Sequence, residues 1–316
     1  MVGILAVSWV PVSPSAAQPT LDEVRDRVEQ LTHQAEVAAE RYNDAQEQRA
    51  DLLRDLKALQ ADTDAQSAKV TALEDAVGES IAAQYEGRLM PSASDVVASD
   101  DPSQYLEQLT VVDAYNSVQL EAMGDYFRSR EALRIRRDAL AARNVELQKV
   151  EAGLAADKRE ADTKFKDAKK ILDDMEAEER QRLLAASIGT YDGPIPKASG
   201  TGKARIAVQF ALDQLGDAYV WAAVGPDAWD CSGLMMGAWG AAGVSLPHSS
   251  RVQSTMGTPV EPQDLQPGDL VFYFSPVSHV AMYIGNGLVV HAANPSVGVK
   301  ISRVTAMPYT NAVRVG

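Results

Sequence analysis

A heptad pattern near the start of the chain constrains the fold more than any other feature. From Leu21 onward, apolar residues recur every seven positions on two seams, which places them on one stripe of a long α-helix. The first seam is Leu21, Val28, Ala35, Tyr42, Arg49, Leu56, Thr63, Val70 and Val77; the second is Val24, Leu31, Ala38, Ala45, Leu52, Leu59, Gln66 and Leu73. A stripe sustained over eight heptads predicts a coiled coil, although Arg49, Thr63 and Gln66 weaken it.

A second helical stretch follows a proline-containing bend. The heptads end near Gly87, and residues 88–103 hold two prolines and an acidic cluster, which is typical of a turn. Helical patterning resumes from Gln104 to about Ser187. Two long helices joined by a short bend fold back on each other. We therefore expect residues 18–188 to form an antiparallel coiled coil with its tip around 88–112, where surplus apolar residues fit either a local helical cap or a partner surface.

The two ends of this rod have distinct compositions. Residues 1–17 combine an apolar run with small residues before Gln18, which is typical of the later part of a secretory signal, so we expect export; a weakly apolar tail is the alternative. Residues 189–203 are rich in Gly, Pro and Ser and predict a linker. The net charge is −14, yet residues from 201 onward hold seven acids and six bases, so the acidity lies in the rod. Such a chain is a poor partner for nucleic acid.

Residues 204–316 predict an α+β domain. An amphipathic helix at 204–215 and an apolar helix after Cys231 come first. Short apolar runs at 270–274, 280–284, 288–292, 299–304 and 312–315 then predict an antiparallel sheet.

Cys231 is the chain's only cysteine and falls at the start of a predicted helix. Unpaired N–H groups and the helix dipole there favour a thiolate, which is the nucleophilic form. A buried core thiol is the alternative interpretation. In an exported protein a lone cysteine is exposed to oxidation, so its presence favours a functional role over a purely structural one.

Two of the four histidines fall in one predicted hairpin with a shared orientation. His279 and His291 are both out of phase with the core-facing residues of their strands. If Gly285-Asn286-Gly287 is a three-residue loop, residue 281 pairs with 291 and the two histidines become diagonal neighbours on one face. A two-residue turn would place them on opposite faces, and the core pattern favours the first register.

An ordered series of motifs resembles the NlpC/p60-type cell-wall cysteine peptidases and covers about residues 203–316. The motifs are Gly216-Asp217-Ala218-Tyr219-Val220-Trp221, Asp230-Cys231-Ser232-Gly233-Leu234, Leu246-Pro247, Gln266-Pro267-Gly268-Asp269-Leu270-Val271-Phe272, Ser278-His279-Val280-Ala281-Met282-Tyr283-Ile284-Gly285 and His291-Ala292. The chain departs from this family at Ala222-Ala223, where a glycine pair is common, and at His248, where Arg is common. We expect His248 to be a surface or rim residue.

The resemblance implies a papain-like domain with a Cys-His-His triad. Cys231 would be the nucleophile, His279 the base and His291 the residue that orients it. The resemblance also implies that Tyr219, Asp230 and Ser232 line a subsite for the peptidoglycan stem peptide. Helix capping is a compatible role for Asp230 and Ser232, and half-burial in the core is the alternative for Tyr219. No cofactor or metal is implied; zinc on the Cys/His/His set is an alternative without a further ligand motif.

The complete layout resembles RipC-type peptidoglycan endopeptidases, in which a coiled coil precedes the NlpC-type domain. That resemblance implies a secreted enzyme that cuts the bond between D-glutamate or isoglutamine and meso-diaminopimelate during cell division or wall remodelling. We expect the coiled coil to inhibit the enzyme and its tip to meet an FtsEX-type membrane transporter. The alternative is a non-catalytic coiled-coil scaffold or activator that binds the wall.

Overall fold

The computed structural model describes residues 20–86, 102–186 and 191–316. The signal-like residues 1–17 and the bend at 88–101 lie outside the described residues. The chain divides into two compact units, Met1–Asp44 together with Leu154–Gly316, and Ala45–Gly153. The first part of the coiled coil therefore belongs to the same compact unit as the C-terminal domain.

The described residues of the N-terminal part form three helices: α1 (Leu21–Tyr85), α2 (Pro102–Asp173) and α3 (Ala177–Ala186). The sequence predicted a long helical region from Gln104 to about Ser187, and the structure divides this region at a turn between α2 and α3. No glycine or proline marks the break. Instead, Leu183 of α3 packs with Val28 and Leu172, so tertiary packing overrides local helix propensity here.

Within each unit α1 runs antiparallel to α2. In the first unit Arg41 pairs with Asp157 at 2.8 Å and with Glu160 at 2.6 Å. Nearer the start of α1 in the same unit, Val28 packs with Leu172. In the second unit Arg49 pairs with Glu151 at 3.1 Å and Asp62 with Arg136 at 2.6 Å. Residues of rising number on α1 thus meet residues of falling number on α2, which confirms the predicted antiparallel coiled coil.

The predicted seams of α1 face inward along the helix. Every seam position is buried or partly buried except Leu21, which is 42% exposed. The weak position Thr63 is buried and donates its hydroxyl to the Leu59 carbonyl at 2.7 Å, so it leaves no unsatisfied polar group. Across the described ranges, no helix combines the length and apolar character needed to cross a membrane.

The C-terminal domain is α+β, as predicted. Its helices are α4 (Gly202–Asp213), α5 (Cys231–Ala241) and α6 (Ser250–Gln253), with a 3-10 turn at Pro262–Asp264. Its strands are β1 (Ala218–Tyr219), β2 (Ala228–Trp229), β3 (Thr258–Pro259), β4 (Leu270–Tyr273), β5 (His279–Gly285), β6 (Leu288–Ala292), β7 (Val299–Arg303) and β8 (Tyr309–Arg314). The last six form an antiparallel sheet in the order β3-β8-β4-β5-β6-β7, and β1 and β2 form a separate parallel pair.

The sheet separates two apolar clusters. Val280 and Met282 of β5 enter the larger cluster with α4 and α5, whereas Ala281 enters the smaller cluster on the other face. This alternation confirms the predicted strand parity. All buried members of the larger cluster lie between Ala207 and Val315, so the domain has its own core.

The β5–β6 hairpin has the predicted register but a different turn. Met282 pairs with Val290 and Tyr283 with Val289, the alignment expected from a three-residue loop. Gly285 pairs with Leu288, so the turn itself holds only two residues, and an irregularity after Tyr283 restores the register. Gly285 has a φ of 99°, which glycine adopts without a Cβ clash.

The predicted linker contacts the domain. Residues 191–201 lack regular secondary structure. The Ser199 hydroxyl donates to the Ile284 carbonyl at 2.7 Å, and the Tyr191 N–H donates to the Ile301 carbonyl at 3.4 Å. These bonds hold the segment against β5 and β7.

Candidate active site

Cys231 is the first residue of α5, as predicted. Asp230 caps the helix, and its Oδ1 accepts the Gly233 N–H at 2.6 Å. A Cβ at Gly233 would collide with the Ala223 carbonyl, so this turn requires glycine. The sequence Asp-Cys-Ser-Gly therefore builds the cap, the thiol position and the close backbone approach in four successive residues.

The two hairpin histidines meet on one face of the sheet. His279 begins β5 and His291 lies in β6, and both are buried. His279 Nε2 lies 2.8 Å from His291 Nδ1, with the rings nearly perpendicular. The geometry thus contains the contact that strand parity predicted.

The thiol lies beside the start of β5. The backbone N–H of Val280, the residue after His279, hydrogen-bonds the Cys231 sulfur. His279 Nδ1 is buried and has no hydrogen-bond partner among the described residues. This nitrogen is the one left available to accept a proton.

His291 has a second neighbour that the sequence interpretation missed. Its Nε2 lies 2.9 Å from the hydroxyl of Ser302 in β7, and Ser302 is fully buried. Val289 pairs with Ser302 and His291 with Lys300, so Ser302 lies diagonally across from His291 on the same face. Alternation along the predicted strand 299–304 is the signal that could have placed Ser302 on this face.

Both active-site histidines are neutral in this arrangement. Burial lowers the pKa of His279 to about 4, against the opposing effect of Asp230. Burial also lowers the pKa of His291 well below its usual value, with further lowering by His279 and Lys300. An imidazole removed from water loses the hydration that stabilises its charged form.

Glu40 of α1 lies directly over the thiol. Its Oε1 accepts from Cys231 Sγ at 3.6 Å and from the Ser232 hydroxyl at 3.1 Å. Its Oε2 accepts from the N–H of Ser250 at 2.6 Å and from the Ser250 hydroxyl at 2.7 Å. Cys231 and Glu40 are each only 2% exposed to solvent.

Two neighbours on α1 extend this cover. Asn43 Nδ2 donates to Asp230 Oδ2 at 3.2 Å. Asp44 accepts from the Ser249 hydroxyl and pairs with Arg251 at 3.1 Å. We call Glu36, Glu40, Asn43 and Asp44 the covering face of α1. The local sequence pattern did not predict this covering face, because acidic residues flanking a heptad seam ordinarily face solvent.

Aromatic contacts flank the covering face. The Trp221 ring contacts Tyr42 edge-on at 5.1 Å between centroids, and its Nε1 donates to Asp162 Oδ1 at 2.9 Å. On the other side, His33 contacts Phe274 at 4.3 Å between centroids. A cavity of about 370 Å³ remains there, lined by residues that include His33, Glu36, Phe274 and His279.

Burial under α1 reverses the expected electrostatics of the thiol. The sequence predicted a lowered pKa for Cys231, but burial raises it well above its usual value, and Glu40, Asp230 and Glu36 raise it further. Burial, followed by the charge of Asp230, raises the pKa of Glu40 to about 7. The helix dipole lowers the thiol pKa by less than burial and the three neighbouring carboxyl groups raise it.

The other predicted site residues lie near Cys231: burial raises the pKa of Tyr219 well above its usual value, and the charges of Cys231 and Glu36 raise it further. Ser232 is bonded to Glu40 and lies 3.3 Å from Asp230, while Tyr219 is buried with its ring 5.9 Å from Phe165. His248 is partly buried: its side chain is 18% exposed, and its Nε2 lies 2.7 Å from Asp230 Oδ2. Asp230 therefore combines helix capping with contacts inside the groove.

A metal would need a cluster of ligands around these groups. Among the residues that the structure describes, no group of three or more His, Cys, Asp or Glu side chains is arranged to hold a metal ion.

Comparison with known proteins finds matches in the region that contains Cys231, His279 and His291. The NlpC/P60 family model matches residues 216–315. A probable endopeptidase of Corynebacterium glutamicum is 43% identical over 42% of this chain and 65% of its own length. A probable endopeptidase of Mycobacterium tuberculosis is 45% identical over 34% of this chain and 28% of its own length.

Among solved structures, the NlpC/p60 domain of the peptidoglycan hydrolase SagA is 30% identical, with a TM-score of 0.34, over 35% of this chain and 98% of that chain. The chain spans less than two thirds of the length of the two curated relatives named above. The match to the family model contains Cys231, His279 and His291. Residues 216–315 of this chain therefore form a domain of the NlpC/P60 family of cysteine peptidases.

Proposed function

We propose that the C-terminal domain hydrolyses a peptide bond, with Cys231 as the nucleophile and His279 as the base. The observation that carries this proposal is the buried His279–His291 pair, which leaves His279 Nδ1 without a partner among the described residues, while the N–H of the next residue, Val280, bonds the helix-start thiol. In the reaction Nδ1 takes the thiol proton, sulfur attacks the carbonyl carbon, and His279 then protonates the leaving amine. Water subsequently hydrolyses the thioester. The Cys231 N–H stabilises the oxyanion.

The proposed substrate is the peptidoglycan stem peptide. Membership of the NlpC/P60 family and relatives named as probable endopeptidases support this class. The resemblance of the motifs implies cleavage between D-glutamate or isoglutamine and meso-diaminopimelate. Tyr219, Asp230 and Ser232 are the proposed subsite residues.

We further propose that the covering face of α1 holds the enzyme inactive. Glu40 bonds Cys231, Ser232 and Ser250 at once, so no peptide can reach the thiol while α1 is in place. The closed arrangement also keeps the nucleophile as a thiol and His279 uncharged, because burial opposes both ions. Inhibition is therefore steric and electrostatic.

Activation requires a partner that binds the open state better than the closed one. The proposed partner is an FtsEX-type membrane transporter that contacts the tip around 88–112, in a chain exported to the wall for division or wall remodelling. Activation of the intact chain by such a complex, lost in Leu106→Glu/Leu109→Glu, tests this step. Unchanged activation of that variant would remove the tip from the proposal.

Digestion of purified peptidoglycan tests the chemistry. The intact chain carrying Glu40→Ala should release fragments whose new termini, read by mass spectrometry, are D-glutamate or isoglutamine and diaminopimelate. The matched chain that also carries Cys231→Ala should release none. If both chains bind the wall and neither cuts it, the scaffold alternative replaces the enzyme.

A further inference from the structure

A continuous line of polar contacts runs inward from the proposed base. His279 Nε2 lies 2.8 Å from His291 Nδ1, and His291 Nε2 lies 2.9 Å from Ser302 Oγ. His279 is 1% exposed, and His291 and Ser302 are fully buried. Water therefore does not compete for these bonds, and each nitrogen depends on its one neighbour.

Which nitrogens carry protons follows from the role of His279. To accept the thiol proton, Nδ1 of His279 must be bare, so the hydrogen of the neutral ring lies on Nε2. That Nε2–H donates to His291 Nδ1, which must then be bare. The hydrogen of neutral His291 therefore lies on its Nε2 and donates to the Ser302 oxygen.

The neighbours of His291 favour this neutral form. Lys300 precedes Ser302 by two residues on the same strand face, and its charge opposes protonation of His291. With both rings neutral, only the direction of the two hydrogen bonds remains to be chosen. The Ser302 oxygen contacts His291 Nε2 at 2.9 Å and can accept its hydrogen, which satisfies one of the two directions.

We propose that Ser302 is a positioning residue whose oxygen accepts the His291 Nε2–H and so stabilises the tautomer of His291, and through it that of His279, in which Nδ1 of His279 is bare. The inference rests on the proposed function of the site. When the S–H bond breaks and the Nδ1–H bond forms, His279 keeps donating from Nε2, so neither ring has to turn. Without the Ser302 oxygen, the His291 Nε2–H loses this acceptor, so the reversed line, with hydrogen on both Nδ1 atoms, becomes the favoured one. In that line His279 cannot accept the proton.

Three variants separate positioning from packing, each made in the intact chain with Glu40→Ala so that the thiol is exposed. Ser302→Ala should lower kcat about 10- to 100-fold with little change in KM, because a buried donor loses its partner. Ser302→Thr, which keeps the hydroxyl, should restore most of the rate. Ile301→Val shortens a buried side chain on the opposite face of β7 and should leave kcat within about twofold.

Nitrogen NMR of the ring atoms reads the tautomer without any need for turnover. In 15N-histidine-labelled intact chain, His279 and His291 should both show hydrogen on Nε2, and Ser302→Ala should shift hydrogen toward Nδ1. If both histidines carry hydrogen on Nε2 but the Glu40→Ala chain does not cut its substrate, the proposed function is refuted, whereas the effect of Ser302 on the tautomers still holds. A wild-type chain with hydrogen on Nδ1 of His291, or an Ser302→Ala variant with unchanged shifts and kcat, would overturn the inference.

Discussion

Replacing Glu40 by alanine should open the closed state. Its carboxyl group accepts from Ser232 at 3.1 Å and twice from Ser250 at 2.6 and 2.7 Å, apart from the longer contact to the Cys231 sulfur. Alanine removes these bonds and leaves the hydroxyls of Ser232 and Ser250 facing an apolar methyl group. No salt bridge to Glu40 is present among the described residues, so the hydrogen bonds carry its contribution.

The expected size of the effect follows from those bonds. Near pH 6.5 most Glu40 is protonated, because burial raises its pKa to about 7. Three neutral hydrogen bonds contribute about 1 kcal/mol each. Their loss weakens closure by roughly 3 kcal/mol, which is about a 150-fold change in the closing equilibrium.

Labelling of the only cysteine measures this equilibrium directly. A dipyridyl disulfide reacts with Cys231 in the open state, and the chain has no other thiol to contribute signal. Glu40→Ala should react up to about 150-fold faster than the wild type. Glu178→Ala removes an exposed acid of α3 and is the matched control. Equal labelling of all three chains would refute the covering role of Glu40.

Three further results are expected. Closure should weaken as pH rises from about 5 to 7: burial raises the pKa of Glu40 from 4.5 to about 7, so the closed state keeps a proton that the open state has released. The labelling rate of the wild type relative to Glu40→Gln should climb up to about tenfold per pH unit and level off above pH 7, and a flat ratio would exclude this linkage. Trp221→Ala should weaken closure by about 2 kcal/mol through the lost ring contact and hydrogen bond, measured by faster Cys231 labelling; an unchanged rate would show that Trp221 does not hold α1. Residues 200–316 alone, which contain the whole larger core, should digest peptidoglycan faster than the intact chain, and equal rates would leave the rod as a positioning device.

The sequence predicted those parts of the site that depend on local periodicity. The parity of His279 and His291 relative to their apolar neighbours was sufficient to place them on one face, and the helix start placed Cys231. The same alternation along β7 places Ser302 on the face of the histidines, but a serine in a strand carries no sequence signal that marks it as part of a site. Register survived an error in the turn, because the buried faces of β5 and β6 fix the pairing more strongly than the loop does.

The covering face was beyond sequence reasoning for a physical reason. Glu40 lies 191 positions before the thiol it contacts, and its neighbours on the heptad flank are the charged residues that any solvated coiled coil carries. Only the docked arrangement shows that Glu36 and Glu40 are buried. The predicted direction of the Cys231 pKa shift was wrong for the same reason. The sequence showed the helix dipole at Cys231 but not the burial of the thiol by distant residues.

Release of soluble peptides from purified peptidoglycan by the intact chain tests the central claim most directly. The account predicts slow release by the wild type, release faster by up to about 150-fold with Glu40→Ala, and none when Cys231→Ala is added to that variant. Equal rates for the wild type and Glu40→Ala would contradict inhibition by α1. Release that persists without the Cys231 thiol would contradict the assignment of the nucleophile.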